Sequence, residues 1–206
     1  MKHEWKKAEK NYYLPKDKPE KIVMPPFKFF SIKGQGNPNE PFFAEYIGVL
    51  YSLSYGIKMS PKAGLTPAGY FDYTVYPLEG VWDINEEARA KAIMEFDKND
   101  LVFNLMIRQP DFVTEDFANE ILALIKKKKP HKLLEKAKFE IIEEGPCVQM
   151  LHIGSYDQEP ESFDRMELFA GEHNMKRKYH IHREIYLSDA RKTAPEKLKT
   201  VLRFQV

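Results

Sequence analysis

The stretch Tyr179 to Ser188, YHIHREIYLS, holds the residues best suited to chemistry. Successive side chains of a β-strand point to opposite faces. Here one parity is Ile181, Ile185 and Leu187, and the other is His180, His182, Glu184 and Tyr186. The apolar set is expected to pack on helices and the polar set to point elsewhere. If that other face is open to solvent, Glu184 is an ordinary surface carboxylate, and the pattern alone favours this reading. If aromatics wall it off, Glu184 is a partly desolvated carboxylate that attracts a cation or acts as a base. His180 and His182 with Glu184 would offer three metal ligands. His3, His131, His152 and His173 lie elsewhere at no ligand spacing, so neither a metal nor any other cofactor is expected.

A second concentration is Pro77–Trp82, PLEGVW, where a carboxylate (Glu79), a glycine and a large flat ring fall within six residues. Trp82 could stack on a planar ligand or face a cation. It could equally fill a core while Glu79 caps a turn, and the pattern leaves both open. Tyr46, Tyr55, Tyr70, Tyr73, Tyr76, Tyr156, Tyr179 and Tyr186 could supply walls or phenolic donors, although each taken singly reads as packing. Cys147, among apolar strand residues, reads as a buried, inert thiol.

These residues need elements to hold them. Phe27–Lys33 (FKFFSIK) suits a strand, and the turn-rich GQGNPNEP then starts a helix whose stripe is Phe43, Ile47, Leu50 and Ser54, with Phe42, Tyr46 and Leu53 beside it. Tyr70–Tyr76 (YFDYTVY) alternates as a strand would, and an extended piece follows at Val81–Ile84. Leu101–Arg108 reads as a strand. A helix follows, with Thr114 as N-cap, Phe117, Ile121, Leu124 and Ile125 buried, and Lys126–Lys129 solvated at its C-terminal end. Cys147–Ile153 is again a strand, followed by a turn ending in Glu159-Pro160 and a helix with Phe163, Met166 and Phe169 or Ala170 on one face. Glu40-Pro41 and Glu159-Pro160 occupy matching places, and each helix leads into a strand that carries a glutamate, Glu79 or Glu184. The chain therefore reads as α+β, a degenerate tandem of β-α-β-β units. Such units would pack antiparallel sheets about a pseudo-twofold with a central ligand cleft. The expected span is one domain over 1–206, with an arm at 1–21 packing through Trp5, Tyr12 and Tyr13, a first repeat at 22–100 and a second at 101–206.

Composition limits the function classes. Of 206 residues, 32 are Lys or Arg and 31 Asp or Glu, leaving a net charge of +1 and no global field to draw in nucleic acid or anionic lipid. The single cysteine precludes an internal disulfide, Met1–Lys10 lacks a signal-peptide apolar run, and no stretch suits a membrane span. The cytoplasm is the expected location, with no direct nucleic-acid or membrane partner and the oligomeric state left open. There is no Gly-rich phosphate loop, nucleophile elbow or Cys-x-x-Cys pair, and no added helix-turn-helix domain.

The repeated halves, PLEGVW and the segment Arg183–Asp189 (REIYLSD) resemble the GyrI-like family, of SOUL/GyrI-type tandem repeats, over nearly the whole chain, from Phe27 to Val206. The resemblance implies tandem strand-helix-strand-strand units with a concave site, in which Glu184 matches the family's ligand-cleft glutamate. Some members are drug-sensing effector domains that bind cationic aromatic compounds. SIKGQG, LYSLSY and PLEGVW are similar to stand-alone members that hydrolyse cyclopropanoid DNA-alkylating compounds. That likeness implies a planar aromatic or cationic small-molecule ligand and a detoxifying hydrolase conferring drug resistance. Glu184 and Glu79 would act on water, while Trp82, Tyr46, Tyr55, Tyr70, Tyr73, Tyr179, Tyr186 and His182 would hold the ligand, without a metal. The alternative is a non-catalytic binder or sensor in which Glu184 is only a counter-ion.

Overall fold

The computed structural model describes residues 2–90 and 97–206. Its elements in chain order begin with α1 (Trp5–Ala8), α2 (Lys10–Tyr13), β1 (Glu20–Met24), β2 (Phe27–Gln35), α3 (Pro41–Lys58) and β3 (Leu78–Ile84). After α4 (Glu86–Ala90) come β4 (Leu101–Gln109), α5 (Glu115–Lys128) and β5 (Lys138–Ile142). The chain ends with β6 (Gly145–Ile153), α6 (Glu159–Glu172), β7 (His182–Tyr186) and β8 (Lys199–Gln205). By contacts, Phe27–Leu78 and Trp82–Ile142 form one compact unit, while Glu4–Pro26, Glu79–Val81 and Glu143–Val206 form the other.

Both units follow one α+β plan. The strand order is β3-β4-β2-β5 in the first and β7-β8-β6-β1 in the second. Each is a strand, a helix and two further strands with one extra strand at the edge, and the mapped pairings are antiparallel. The edge strands β1 (EKIVM) and β5 (KFEII) escape the sequence reading. Their residue types pattern weakly: β1 does alternate between covered and exposed positions, but its exposed ones include Val23, and β5 does not alternate regularly.

In the first unit Pro41 opens α3, where a missing N–H costs nothing. Leu50, Leu53 and Ile57 of α3 are fully buried, as are Ile32, Leu105 and Ile107 of the strands. Thr114 caps α5 by accepting from the Phe117 N–H at 3.2 Å, as its type and position predict. One expected strand is absent: Tyr70–Tyr76 is not a ladder strand and makes only an isolated bridge, His3 to Tyr73. Its backbone is satisfied otherwise, by His3 N–H to the Asp72 carbonyl at 2.7 Å, Thr74 N–H to the His3 carbonyl at 2.9 Å, and the Lys58 ammonium on the Tyr73 carbonyl.

In the second unit α6 lies over the face formed by Val148, Met150, Leu202 and Phe204, which it covers with Met166 and Ala170. Glu184 pairs with Leu202 across the ladder and so shares that face, while Arg183 pairs with Arg203 on the other. The polar parity of β7 therefore points towards its helix, the reverse of the expected arrangement. The α6 stripe begins with polar groups, Glu159 and Ser162, both buried, and these receive Glu184. The opposite face is closed by the N-terminal arm, with Trp5 and Tyr13 buried and Tyr12 partly so.

Candidate functional site

Glu184 lies in a buried polar cluster of the second unit. It is 8% exposed, and His152, Glu159, Ser162 and Thr200 are buried with it. His182, two residues earlier on the same face, brings Nε2 to 3.0 Å from Glu184 Oε1, and its ring is fixed edge-on against Phe163 of α6 at 4.7 Å. Tyr186, two residues later, meets Tyr156 at a ring distance of 6.1 Å and 90°. His152 Nε2 faces the Ser155 carbonyl at 3.0 Å, which can only accept, so a neutral ring accepts the Ser162 hydroxyl proton at Nδ1, 2.9 Å away.

The electrostatics single out Glu159. It opens α6, where the helix N-terminus ordinarily favours an ionised carboxylate. Burial outweighs that and, with the charge and hydrogen bond of Glu184 and the charge of Asp157, pushes its carboxyl up to about 10. Its Oε1 is buried without a hydrogen-bond partner. Tyr156 is 40% exposed, and partial desolvation of its phenol, followed by the charges of Glu184, Glu159 and Asp189, pushes it up to about 12, so it remains a donor at neutral pH.

The other face carries an ion-pair network. Arg183 Nη1 is 2.7 Å from Glu79 Oε2 and its Nε is 2.8 Å from Glu144 Oε1. Arg203 reaches Glu144 Oε2 at 3.2 Å, Gln149 Oε1 at 2.8 Å and the Tyr12 carbonyl at 2.7 Å. Gln149 donates in turn to the Asn11 carbonyl and to Glu20 Oε1, each at 2.8 Å. Burial raises Glu79, with Arg183 and Arg203 pulling against it. At Glu144 burial also opposes the charge, but the two guanidiniums together prevail and lower it. Two cations meeting two acids suit a sealed, self-compensated core cluster.

The sequence-selected residues thus fall into separate groups. Glu184, His182 and Tyr186 come together, while Glu79, bound to Arg183, serves the other face of the second unit. Tyr179 is 57% exposed. In the first unit Trp82 and Tyr46 are buried around Phe103, at ring distances of 5.4 and 5.3 Å, and Phe43 closes the cluster. Tyr73 is fully buried beside Phe112, with its hydroxyl unpartnered and its ionisation suppressed by burial. Tyr70 also touches Phe112 and donates to the Lys58 carbonyl at 2.8 Å, while Tyr55 lies half exposed against Tyr51. Cys147 is buried and its thiol pushed up to about 12 by that burial. Among the described residues no three His, Cys, Asp or Glu side chains converge as metal ligands, and no helix is long and apolar enough to cross a membrane.

Sequence reasoning missed Glu159 and Glu144. Glu159 carried a usable signal, since Glu159, Ser162, Phe163, Met166 and Ala170 lie at helical spacing on one stripe, which places an acid on a buried face. Glu144, in Glu143-Glu144-Gly145, reads as a polar turn and offered none.

The tandem α+β plan is that of a small-molecule-binding domain. The chain belongs to the GyrI-like family, whose small molecule binding domain matches residues 17–206. It is similar to a hydrolase from Listeria innocua, with 36% identity, a TM-score of 0.89, and 99% of this chain and 98% of that one covered. A second Listeria innocua hydrolase, at 35% identity and a TM-score of 0.88, covers 98% of both chains. The C-terminal domain of EcmrR shares the fold at 12% identity and a TM-score of 0.52, over 91% of this chain and 96% of its own. No curated protein is similar enough to this chain to count as a match.

Proposed function

We propose that this protein is a hydrolase of small planar electrophiles, of the cyclopropanoid alkylating class, in which Glu184 activates water. The observation that carries the reading is Glu184 itself: a nearly buried carboxylate, steadied by His182 at 3.0 Å, with phenols at one side. The full-length likeness to two hydrolases supports a hydrolytic reaction, and the resemblance drawn from SIKGQG, LYSLSY and PLEGVW supplies the substrate class.

In this reaction Glu184 takes a proton from water as the water oxygen bonds to the strained cyclopropane methylene. The ring C–C bond breaks and its electron pair passes through the conjugated dienone to the oxygen, which becomes a phenol on gaining a proton. One of the phenols Tyr156 and Tyr186, whose rings meet at 6.1 Å, supplies that proton, and Phe163 with these two rings provides flat apolar surface for a planar substrate. Glu79 serves as the counter-ion of Arg183 and acts on the reaction only through the fold.

A second reading has a specific motive, because two carboxyls in one buried cluster would also attract a cationic aromatic ligand without turning it over. Both readings are tested by following the dienone chromophore and product mass with purified protein, with Glu184→Gln and chelator-treated controls. The hydrolase reading expects many turnovers to a water-added product, a loss of at least about 100-fold in E184Q, and no effect of chelator. Stoichiometric binding without product overturns it. If E184Q then loses cationic but keeps neutral ligands, the binding module stands.

A further inference from the structure

The least explained group near Glu184 is Glu159. It is 6% exposed, with one carboxyl oxygen lacking any partner. A buried carboxylate left in that state would incur a large desolvation cost, and a second carboxylate beside it compounds the penalty. The arrangement becomes reasonable when one proton is shared. Glu159 then presents an O–H to the Glu184 carboxylate, and its remaining oxygen is a neutral carbonyl that tolerates lacking a donor far better than a charged oxygen would.

We infer that Glu159 is a positioning residue: its protonated carboxyl donates to Glu184, and the two glutamates act as a dyad holding one proton between them. The role rests on the hydrolase reading for its catalytic meaning, but the shared proton does not. The groups around Glu159 are consistent with it. From β7 come Glu184 and His182, from the turn before α6 come Asp157 and Tyr156, and from β6 comes His152, held by Ser162 and the Ser155 carbonyl. The charges that act most on Glu159 are Glu184 and Asp157, both acidic, so its neighbours favour the neutral form.

The donated hydrogen bond does two things. It fixes which way the Glu184 carboxylate faces, leaving its other lone pairs for His182 and water. It also provides stabilisation that is lost when Glu159 ionises, because two carboxylates in contact repel and rotate apart. A single proton thereby sets the upper pH limit of the site.

The test uses the full chain with ¹³C-labelled glutamate carboxyls, titrated by NMR. The expected result is one carboxyl resonance whose titration lies above about pH 8, absent in Glu159→Gln and moved to lower pH in Glu184→Gln, where the neighbouring charge is gone. A Glu159 resonance titrating in the ordinary carboxyl range, or one indifferent to E184Q, overturns the dyad. The second arm is the pH profile of cyclopropanoid turnover. A glutamine amide can still donate to Glu184, so E159Q is expected to keep turnover within about threefold at neutral pH and to lose the alkaline decline. Glu159→Leu, which cannot donate, is expected to drop kcat by about tenfold or more with KM little changed. Equal loss in E159Q and E159L, with both variants folded by circular dichroism, overturns the positioning role. If the wild-type protein shows no turnover at all, the hydrolase reading fails and the NMR arm still decides the dyad.

Discussion

Arg183 and Glu184 are adjacent residues with opposite duties, and strand alternation makes that possible. Glu184 turns to the cluster under α6, while Arg183 enters a network of buried charges with Glu79 and Glu144. The network holds itself together only while complete. Replacing Arg183 by Met leaves two buried acids short of a partner, and the loss of one member of a buried pair costs about 3–5 kcal/mol. Urea unfolding of R183M is expected to show a loss of that order, and adding Glu79→Met should recover part of it. A double variant no more stable than R183M would mean that Glu79 draws its support elsewhere. At this scale the polar parity of its strand and the family resemblance singled out Glu184, yet the strand pattern alone favoured a solvent-facing carboxylate, and the fold covers it. The sequence was harder to read where an acid sat in an expected place: Glu159 at a helix start looks solvated unless its stripe with Ser162, Met166 and Ala170 is read as well, and Glu144 before a glycine turn looks solvated until the fold largely covers it.

Helices and strands were easier to locate than to orient. The stripe of α3, the Thr114 cap of α5 and the strands that begin at Gly145 and Leu101 all follow from local periodicity and capping. The facing of β7 does not, because the sequence argument assumes that the helix side is apolar, and α6 begins its buried stripe with Glu159 and Ser162. Tyr70–Tyr76 alternates convincingly, yet its partners are the His3 backbone and the Lys58 ammonium, contacts remote in sequence. The aromatic cluster of the first unit adds a constraint visible only in three dimensions. At Gly34 an added Cβ would lie 2.4 Å from Phe103 Cε2 and 2.8 Å from Tyr46 Cε1. Gly34→Ala is thus expected to force these buried rings apart and destabilise by about 1–3 kcal/mol. Thermal unfolding within a degree of wild type would show that the Trp82–Phe103–Tyr46 cluster yields freely.

For the molecule as a whole, the tandem plan was legible because Glu-Pro helix starts and glutamate-bearing strands recur, whereas the added edge strands β1 and β5 repeat no motif. The whole chain also integrates its buried acids into one stability profile. A carboxyl whose folded pKa lies above its unfolded value binds a proton more tightly when folded. Its contribution is fully present below the unfolded pKa and is lost as pH rises towards the folded one. Glu159, pushed up to about 10, is such a group, so from about pH 5 upward it progressively weakens the fold. Glu144 behaves oppositely. Lowered by Arg183 and Arg203, it stabilises the fold above its unfolded pKa, and that contribution is lost as pH falls through its folded value. The wild-type protein should therefore be limited at the acid end by Glu144 and eroded at the alkaline end by Glu159. Urea unfolding across about pH 5 to pH 9 should show E159Q gaining stability relative to wild type as pH rises, with the two closest at the acid end. A parallel offset at every pH would mean that Glu159 carries the same charge in the folded and unfolded chain, and the buried proton would then have to reside on another group of the cluster.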